Sequence, residues 1–146
     1  MSEFVRISDK NRILQELYNF SDIFPHLFEK IESIDAYAEK LSKYANFYLG
    51  VENEEPFGLS VFYSNDKISK TAYISLIGIK ETKRNKGLGG WLLSKSEDKA
   101  KEDGMTQISL EVDCDNNSAI SFYERKGYTV STKSQRNSLY MNKQLG

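Results

Sequence analysis

The chain lacks the residues that staple or metallate small proteins. Cys114 is the single cysteine, so no disulfide can close within it, and His26 as the only histidine leaves no zinc site of common ligand spacing. No apolar run approaches the roughly 18 residues that a membrane span requires. Neither sign of charge prevails: 20 Lys and Arg stand against 21 Asp and Glu, so the dominant basic face that nucleic acid demands is missing. The opening residues MSEFVRISDKN have neither a basic n-region nor an apolar h-region, which makes the cytoplasm the expected compartment.

What remains is an ordinary globular composition. At 146 residues with 39% hydrophobic content, one domain over 1–146 suffices, and roughly two-thirds of its unfolded surface can be buried. Asp9 precedes Ile13, Leu14 and Leu17 at helical spacing, and Ser33 opens a second helical run carrying Ile34, Ala38, Leu41 and either Tyr44 or Ala45. The join between them, with Pro25 and scattered aromatics, reads as irregular. FYLGVE (47–52), FGLSVFYS (57–64) and AYISLIGI (72–79) follow as strands of an antiparallel meander, with Gly78 marking either a bulge or a close backbone approach. A helix over 88–103 stops at Gly104, a strand spans 107–112, and a short helix from Ser118 to Lys126 is capped by Asn116 or Asn117 and ended by Gly127. YTVSTK and SLYMNK close as a hairpin-like pair. The expected fold is a mixed, mostly antiparallel α/β sandwich with about six to seven strands and about four helices, in which only the βαβ passage through 72–112 favours a parallel crossover.

The stretch ISLIGIKETKRNKGLGG (74–90) carries the most chemistry, because a strand feeds a basic loop whose glycines fall where a helix begins. A helix N-terminus exposes about four unpaired N–H groups and roughly half a positive charge, and so suits a diphosphate. Gly87, Gly89 and Gly90 clear a path for the ligand, while Lys83, Arg84 and Lys86 add charge. The spacing matches neither a P-loop, which needs Gly-Lys-Ser/Thr, nor a dinucleotide fingerprint, which needs Gly or Ala where Leu92 stands.

A second segment, LEVDCDNNSAISFYERKGY (110–128), holds Asn116-x-x-Ala119-Ile120-x-x-Tyr123-Glu124-x-x-Gly127-Tyr128. Together with Arg84-x-x-Gly87-x-Gly89 after a strand, it resembles the two cofactor motifs of the GNAT superfamily of acyl-CoA-dependent N-acetyltransferases. The resemblance covers Tyr73 to Tyr128, about half of the chain. It implies a single-domain GNAT-like fold and acetyl-CoA as acyl donor, with no metal. Its pantetheine arm would run along the backbone of Ile77, Gly78 and Ile79, which a bulge there would free from strand pairing, and its diphosphate would rest on the loop Arg84, Asn85, Lys86, Gly87, Leu88, Gly89 and Gly90. Asn116 would cap a helix or bond the pantetheine amide.

Tyr123 occupies the place where that family commonly keeps a tyrosine that protonates the departing thiolate. A phenol near pKa 10 is protonated at pH 7 and suits a thiol leaving group near 8.5; the other reading is a core tyrosine on an amphipathic helix. An amine acceptor of pKa ~10.4 must lose a proton before it attacks. Glu111, on the polar side of its strand, is the first candidate base, with Asp113, Tyr73 and Ser75 nearby, whereas His26 reads as surface. The strand 72–79 lacks the acidic residue that many relatives carry there, which leaves room for a domain that binds acyl-CoA without catalysis, as sensor or partner subunit. Lys126 either faces the cofactor's phosphates or serves its own helix dipole. The expected partner is a small-molecule or peptide amine acceptor, with neither nucleic acid nor membrane, and a homodimer is left open.

Overall fold

The computed structural model describes residues 1–134 and 136–146. Along them run β1 (Ser2–Arg6), α1 (Lys10–Asn19), α2 (Pro25–Lys30), α3 (Ile34–Tyr44), β2 (Asn46–Glu52), β3 (Glu55–Tyr63) and β4 (Thr71–Ile79). After a 3-10 turn (Glu81–Lys83) come α4 (Leu88–Glu102), β5 (Gln107–Asp113), α5 (Asn117–Arg125), β6 (Thr129–Lys133) and β7 (Ser138–Gln144). The expected α/β sandwich is present, with seven strands in one sheet and five α-helices among the described residues. Two elements escape the sequence reading: β1, and α2, which forms where an irregular join was expected.

Side-chain caps start three of the helices. Asp9 accepts the Arg12 N–H at 3.0 Å, Ser33 the Ala36 N–H at 3.1 Å and Asn116 the Ala119 N–H at 3.2 Å, each worth about 1 kcal/mol. Helices α2 and α4 have no such cap, and α4 is the one that opens on a glycine. Its N-cap is Gly87, at φ +77°, with no side chain to satisfy the first N–H groups. At its other end Gly104 takes φ +91°, the expected stop.

The sheet order is β1-β2-β3-β4-β5-β7-β6, antiparallel at every step except β4–β5. Helices α4 and α5 pack on one face, where Leu93, Ala100, Ile108, Leu110, Tyr128 and Met141 form the core with Phe122 and Tyr123 at its margin. The other face packs Phe47, Leu49, Leu59 and Val61 against Ile13, Leu17, Ala38 and Leu41 of α1 and α3. Of the two residues the sequence left open at the end of α3, Ala45 is buried and Tyr44 is 60% exposed.

One expectation is corrected. The bulge in β4 is not at Gly78: Val61 stands opposite Leu76 and Phe62 opposite Ile74, so the extra residue is Ser75, while Gly78 faces Leu59 in unbroken register. Gly78 serves a close approach instead. A Cβ there would fall 2.7 Å from Cγ2 of Ile23 and 3.1 Å from Cζ of Phe24, both in the connection between α1 and α2. The bulge adds local twist to β4. Its parallel pairing with β5 extends only from Thr71–Tyr73 to Gln107–Ser109, after which the two strands part.

Candidate active site

A cleft of about 640 Å3 runs from the end of β4, free on its β5 side, to the starts of α4 and α5. Ile77, Gly78, Ile79, Arg84, Asn85, Gly87, Gly89, Gly90, Asn116 and Tyr123 all line it. Thus ten of the residues that sequence motifs scattered over 47 positions share one wall, 77 to 123. Lys86 and Leu88 stand apart: the Lys86 side chain is exposed, and Leu88 packs toward Phe57, Ile79 and Leu92 while its backbone opens α4.

The backbone donors come from two places. Lys80 N–H donates to the Phe57 carbonyl at 2.8 Å. Strand alternation therefore turns Gly78 toward β3 as well, and Ile77 and Ile79 present their N–H and C=O on the side that β5 has left. The Ile79 carbonyl accepts the Arg84 Nε at 3.3 Å, which anchors the guanidinium beside the cleft. At the start of α4, Leu88, Gly89 and Gly90 carry the N–H groups that Gly87 cannot cap. A Cβ on Gly89 would meet nothing closer than Phe122 at 3.7 Å and Ile79 at 3.8 Å, so the space it leaves is cleft, not packing.

Tyr123 lies at the inner end, edge-on to Phe122 and Tyr128 at centroid distances of 5.3 and 5.6 Å. Burial pushes its phenol up to about 12, and among the described residues no hydrogen bond to its hydroxyl opposes that shift. Tyr128 is held differently, donating to Glu97 at 2.8 Å, with Lys143 on the other Glu97 oxygen at 3.0 Å. That contact ties β7 and the end of α5 to α4.

Glu111 opens onto a second, polar pocket on the opposite face of the sheet, with Lys30, Tyr73, Ser75, Asp113, Arg136 and Ser138. The Ser138 hydroxyl donates to one carboxylate oxygen, and Arg136 Nη2 lies 3.6 Å from the other. Burial, and then the charge of Glu111, push the Tyr73 phenol up. Burial pushes the phenol of Tyr37, in α3 near Ser75, up as well. His26 is exposed and pairs with Glu29 at 3.3 Å, away from both pockets.

Residues 12–128 match the Acetyltransferase (GNAT) family. The chain belongs to it. The GNAT match spans both motifs and the cleft between them. Over 56 residues the chain is 39% identical to N-alpha-acetyltransferase 30 of Schizosaccharomyces pombe, a stretch covering 38% of this chain and 37% of that protein. Over 58 residues it is 34% identical to mycothiol acetyltransferase of Corynebacterium aurimucosum, covering 40% and 19%. The chain thus spans well under half the length of these curated relatives. The fold matches PaiA N-acetyltransferase of Thermoplasma acidophilum, solved with coenzyme A, at a TM-score of 0.71 and 18% identity, over 99% of both chains.

The GNAT cleft is fitted for a phosphorylated, strand-like ligand by its uncapped helix start, the empty space at Gly89 and the free edge of β4. Sequence reasoning missed Ile23, Phe24, Ser118, Ala119, Phe122 and Arg125 as lining residues. Phe122 had a signal, since it precedes Tyr123 within the motif. Ile23 had none beyond the glycine it covers, whereas Phe24, at a spacing of four from Phe20 and Phe28, could wall an acceptor pocket but reads first as core. Among the described residues no group of three or more His, Cys, Asp or Glu could hold a metal ion, and no helix is long and apolar enough to cross a membrane.

Proposed function

We propose that the chain transfers an acetyl group from acetyl-CoA to a primary amine of a small molecule or protein by direct attack of the amine on the thioester. One observation carries this reading: the uncapped N-terminus of α4 and the Tyr123 hydroxyl, which lacks a partner among the described residues, face the same cleft beside the free edge of β4. Acetyl-CoA would supply an acyl group already activated as a thioester. The Leu88–Gly90 N–H groups and Arg84 would hold its diphosphate, Ile77 and Ile79 its pantetheine amides, and the Asn116 Nδ2, left over once Oδ1 caps α5, would donate to the same arm. Tyr123 Oη holds a proton for the departing sulfur. The burial that raises this phenol raises a neighbouring thiol in the same direction, so donor and acceptor stay matched. Glu111 takes the proton of the amine, directly or through one water.

Glu111 is also the point on which a second reading turns, because Ser138 and Arg136 already engage its carboxylate. A domain that binds acyl-CoA without turning it over would keep the cleft and leave Glu111 as structure. Free-thiol release with acetyl-CoA and a panel of peptide N-termini, polyamines and amino sugars separates the two. The relative described as an N-alpha-acetyltransferase places peptides first in that panel. Turnover with any amine supports the enzyme; calorimetric CoA binding without turnover across the panel supports the binding domain; absence of binding refutes both.

A further inference from the structure

Helix α5 carries Tyr123, yet none of its own residues is buried. Its anchor lies just past its end. Gly127 turns left-handed at φ +96°, its N–H donates to the Glu124 carbonyl at 3.1 Å, and the Tyr128 N–H donates back to the Tyr123 carbonyl at 3.0 Å. This is the pair of hydrogen bonds that closes a helix on a glycine. The residues joined by the second bond also touch through their rings, Tyr128 standing edge-on to Tyr123 at 5.6 Å. Tyr128 is only 1% exposed, and its hydroxyl donates to Glu97 of α4 at 2.8 Å. The Glu97 side chain is itself 13% exposed, and Lys143 of β7 holds its second oxygen at 3.0 Å. Burial, and then the charge of Glu97, push the Tyr128 phenol up, so it remains a donor. The Tyr123 hydroxyl has no partner of its own among the described residues. Its place is therefore set by what holds its ring and its backbone, and Tyr128 holds both. An acid must stand within about 2.6–3.2 Å of the atom it protonates, and a displacement of about 1 Å can cost ~10²-fold in rate.

We propose that Tyr128, locked by Glu97, is a positioning residue for the acyl transfer: it fixes the Tyr123 hydroxyl relative to α4, the helix whose start faces the same cleft. This rests on the reading of Tyr123 as the group that protonates the departing sulfur. The test takes Tyr128→Phe, which keeps the ring and removes the hydroxyl, and Lys143→Met, which strips Glu97 of its other partner. Tyr123→Phe and the Tyr123→Phe/Tyr128→Phe pair complete the set. Single-turnover thiol release from acetyl-CoA is followed with an amine that the wild type acetylates, alongside CoA titration, thermal unfolding and amide hydrogen exchange over 117–125. Tyr128→Phe should lower the rate by about tenfold, bind CoA within about twofold of wild type, and exchange the α5 amides faster. Lys143→Met should melt lower yet keep the wild-type rate within about twofold, which separates positioning from stability. In the Tyr123→Phe background, Tyr128→Phe should cost no more than about twofold, because it acts through Tyr123. A Tyr128→Phe protein with the wild-type rate would overturn the proposal, as would a tenfold loss that persists without the Tyr123 hydroxyl, or an equal loss in Lys143→Met. Unchanged exchange over 117–125 in Tyr128→Phe would overturn it with no acceptor needed. A Tyr123→Phe protein as fast as wild type would instead overturn the reading of Tyr123 as the acid, a separate result.

Discussion

Two valine substitutions two residues apart should fail for different reasons. Gly89 lies inside the first turn of α4, and a Cβ there makes only ordinary contacts at 3.7 and 3.8 Å. Valine is a slightly better helix former than glycine, by a few tenths of a kcal/mol, so Gly89→Val should melt within about 2 °C of wild type. Its side chain projects into the cleft, however, and should weaken CoA binding by at least about tenfold, or ~1.4 kcal/mol. Gly87 has no atom within 4 Å of its would-be Cβ, but its φ of +77° is left-handed. An L-residue there costs roughly 1–2 kcal/mol, more for a β-branched one, and at ~2–4 °C per kcal/mol the melting temperature of Gly87→Val should fall by about 2–8 °C. Its affinity should fall too, because a relaxed loop no longer aims the α4 N–H groups. Scanning calorimetry and CoA titration on both variants decide the matter. A Gly89→Val protein that binds CoA like wild type would show that the helix start does not hold the ligand, and a Gly87→Val protein as stable as wild type would refute the strain.

Tyr123→Phe should lower kcat by about 10²–10⁴-fold with little change in KM for acetyl-CoA, and a loss under about threefold in single-turnover rates would return Tyr123 to the core. Because burial pushes its phenol up to about 12, the proton stays in place well above neutrality, so the pH–rate profile should show no alkaline loss below about pH 10 from this group. Asp103 is partly buried, which raises its pKa, but hydrogen bonds from Ser64 and Lys99 outweigh that and hold it below the usual carboxylate range. Its stabilisation is therefore present above the unfolded value near 3.9 and fades as pH falls below that, and Asp103→Asn should flatten acid unfolding in that window. Glu111→Gln should depress activity and erase the rise with pH expected between about 6 and 8.5, measured as pre-steady-state rates with a confirmed acceptor; an unchanged profile would shift attention to Tyr73, Asp113 or an ordered water.

Local chemistry was legible in the sequence, and distant packing was not. Asp9, Ser33 and Asn116 announce helix starts because each satisfies an N–H only three residues ahead. The two ends of α4 are legible for the same reason: Gly87 and Gly104 hold backbone angles that few other residues tolerate. Strand β1 has no comparable mark, being five residues at the sheet edge, with its place set by pairing to β2. The bulge shows the limit most clearly. Gly78 attracts attention as the weak point of its strand, yet the register breaks at Ser75, an unremarkable residue, and Gly78 is glycine because Ile23 and Phe24 pack onto it from far upstream in the chain. Lys126 is ambiguous on helical periodicity because its neighbour is Gly90, on another helix.

The parting of β4 and β5 has a chemical consequence beyond making room. Leu110 and Val112 point into the core shared with Tyr123, whereas Glu111 between them points to the opposite face, toward Tyr73 and Arg136. The proposed acid and base are thus on opposite sides of the sheet and communicate only where the strands have separated. Separated by the sheet, Tyr123 keeps its proton in an apolar pocket while the Glu111 carboxyl faces Arg136 and Ser138. In the proposed reaction a proton is taken on one face and another is released on the other, and the unpaired edge of β4 is where the two faces meet.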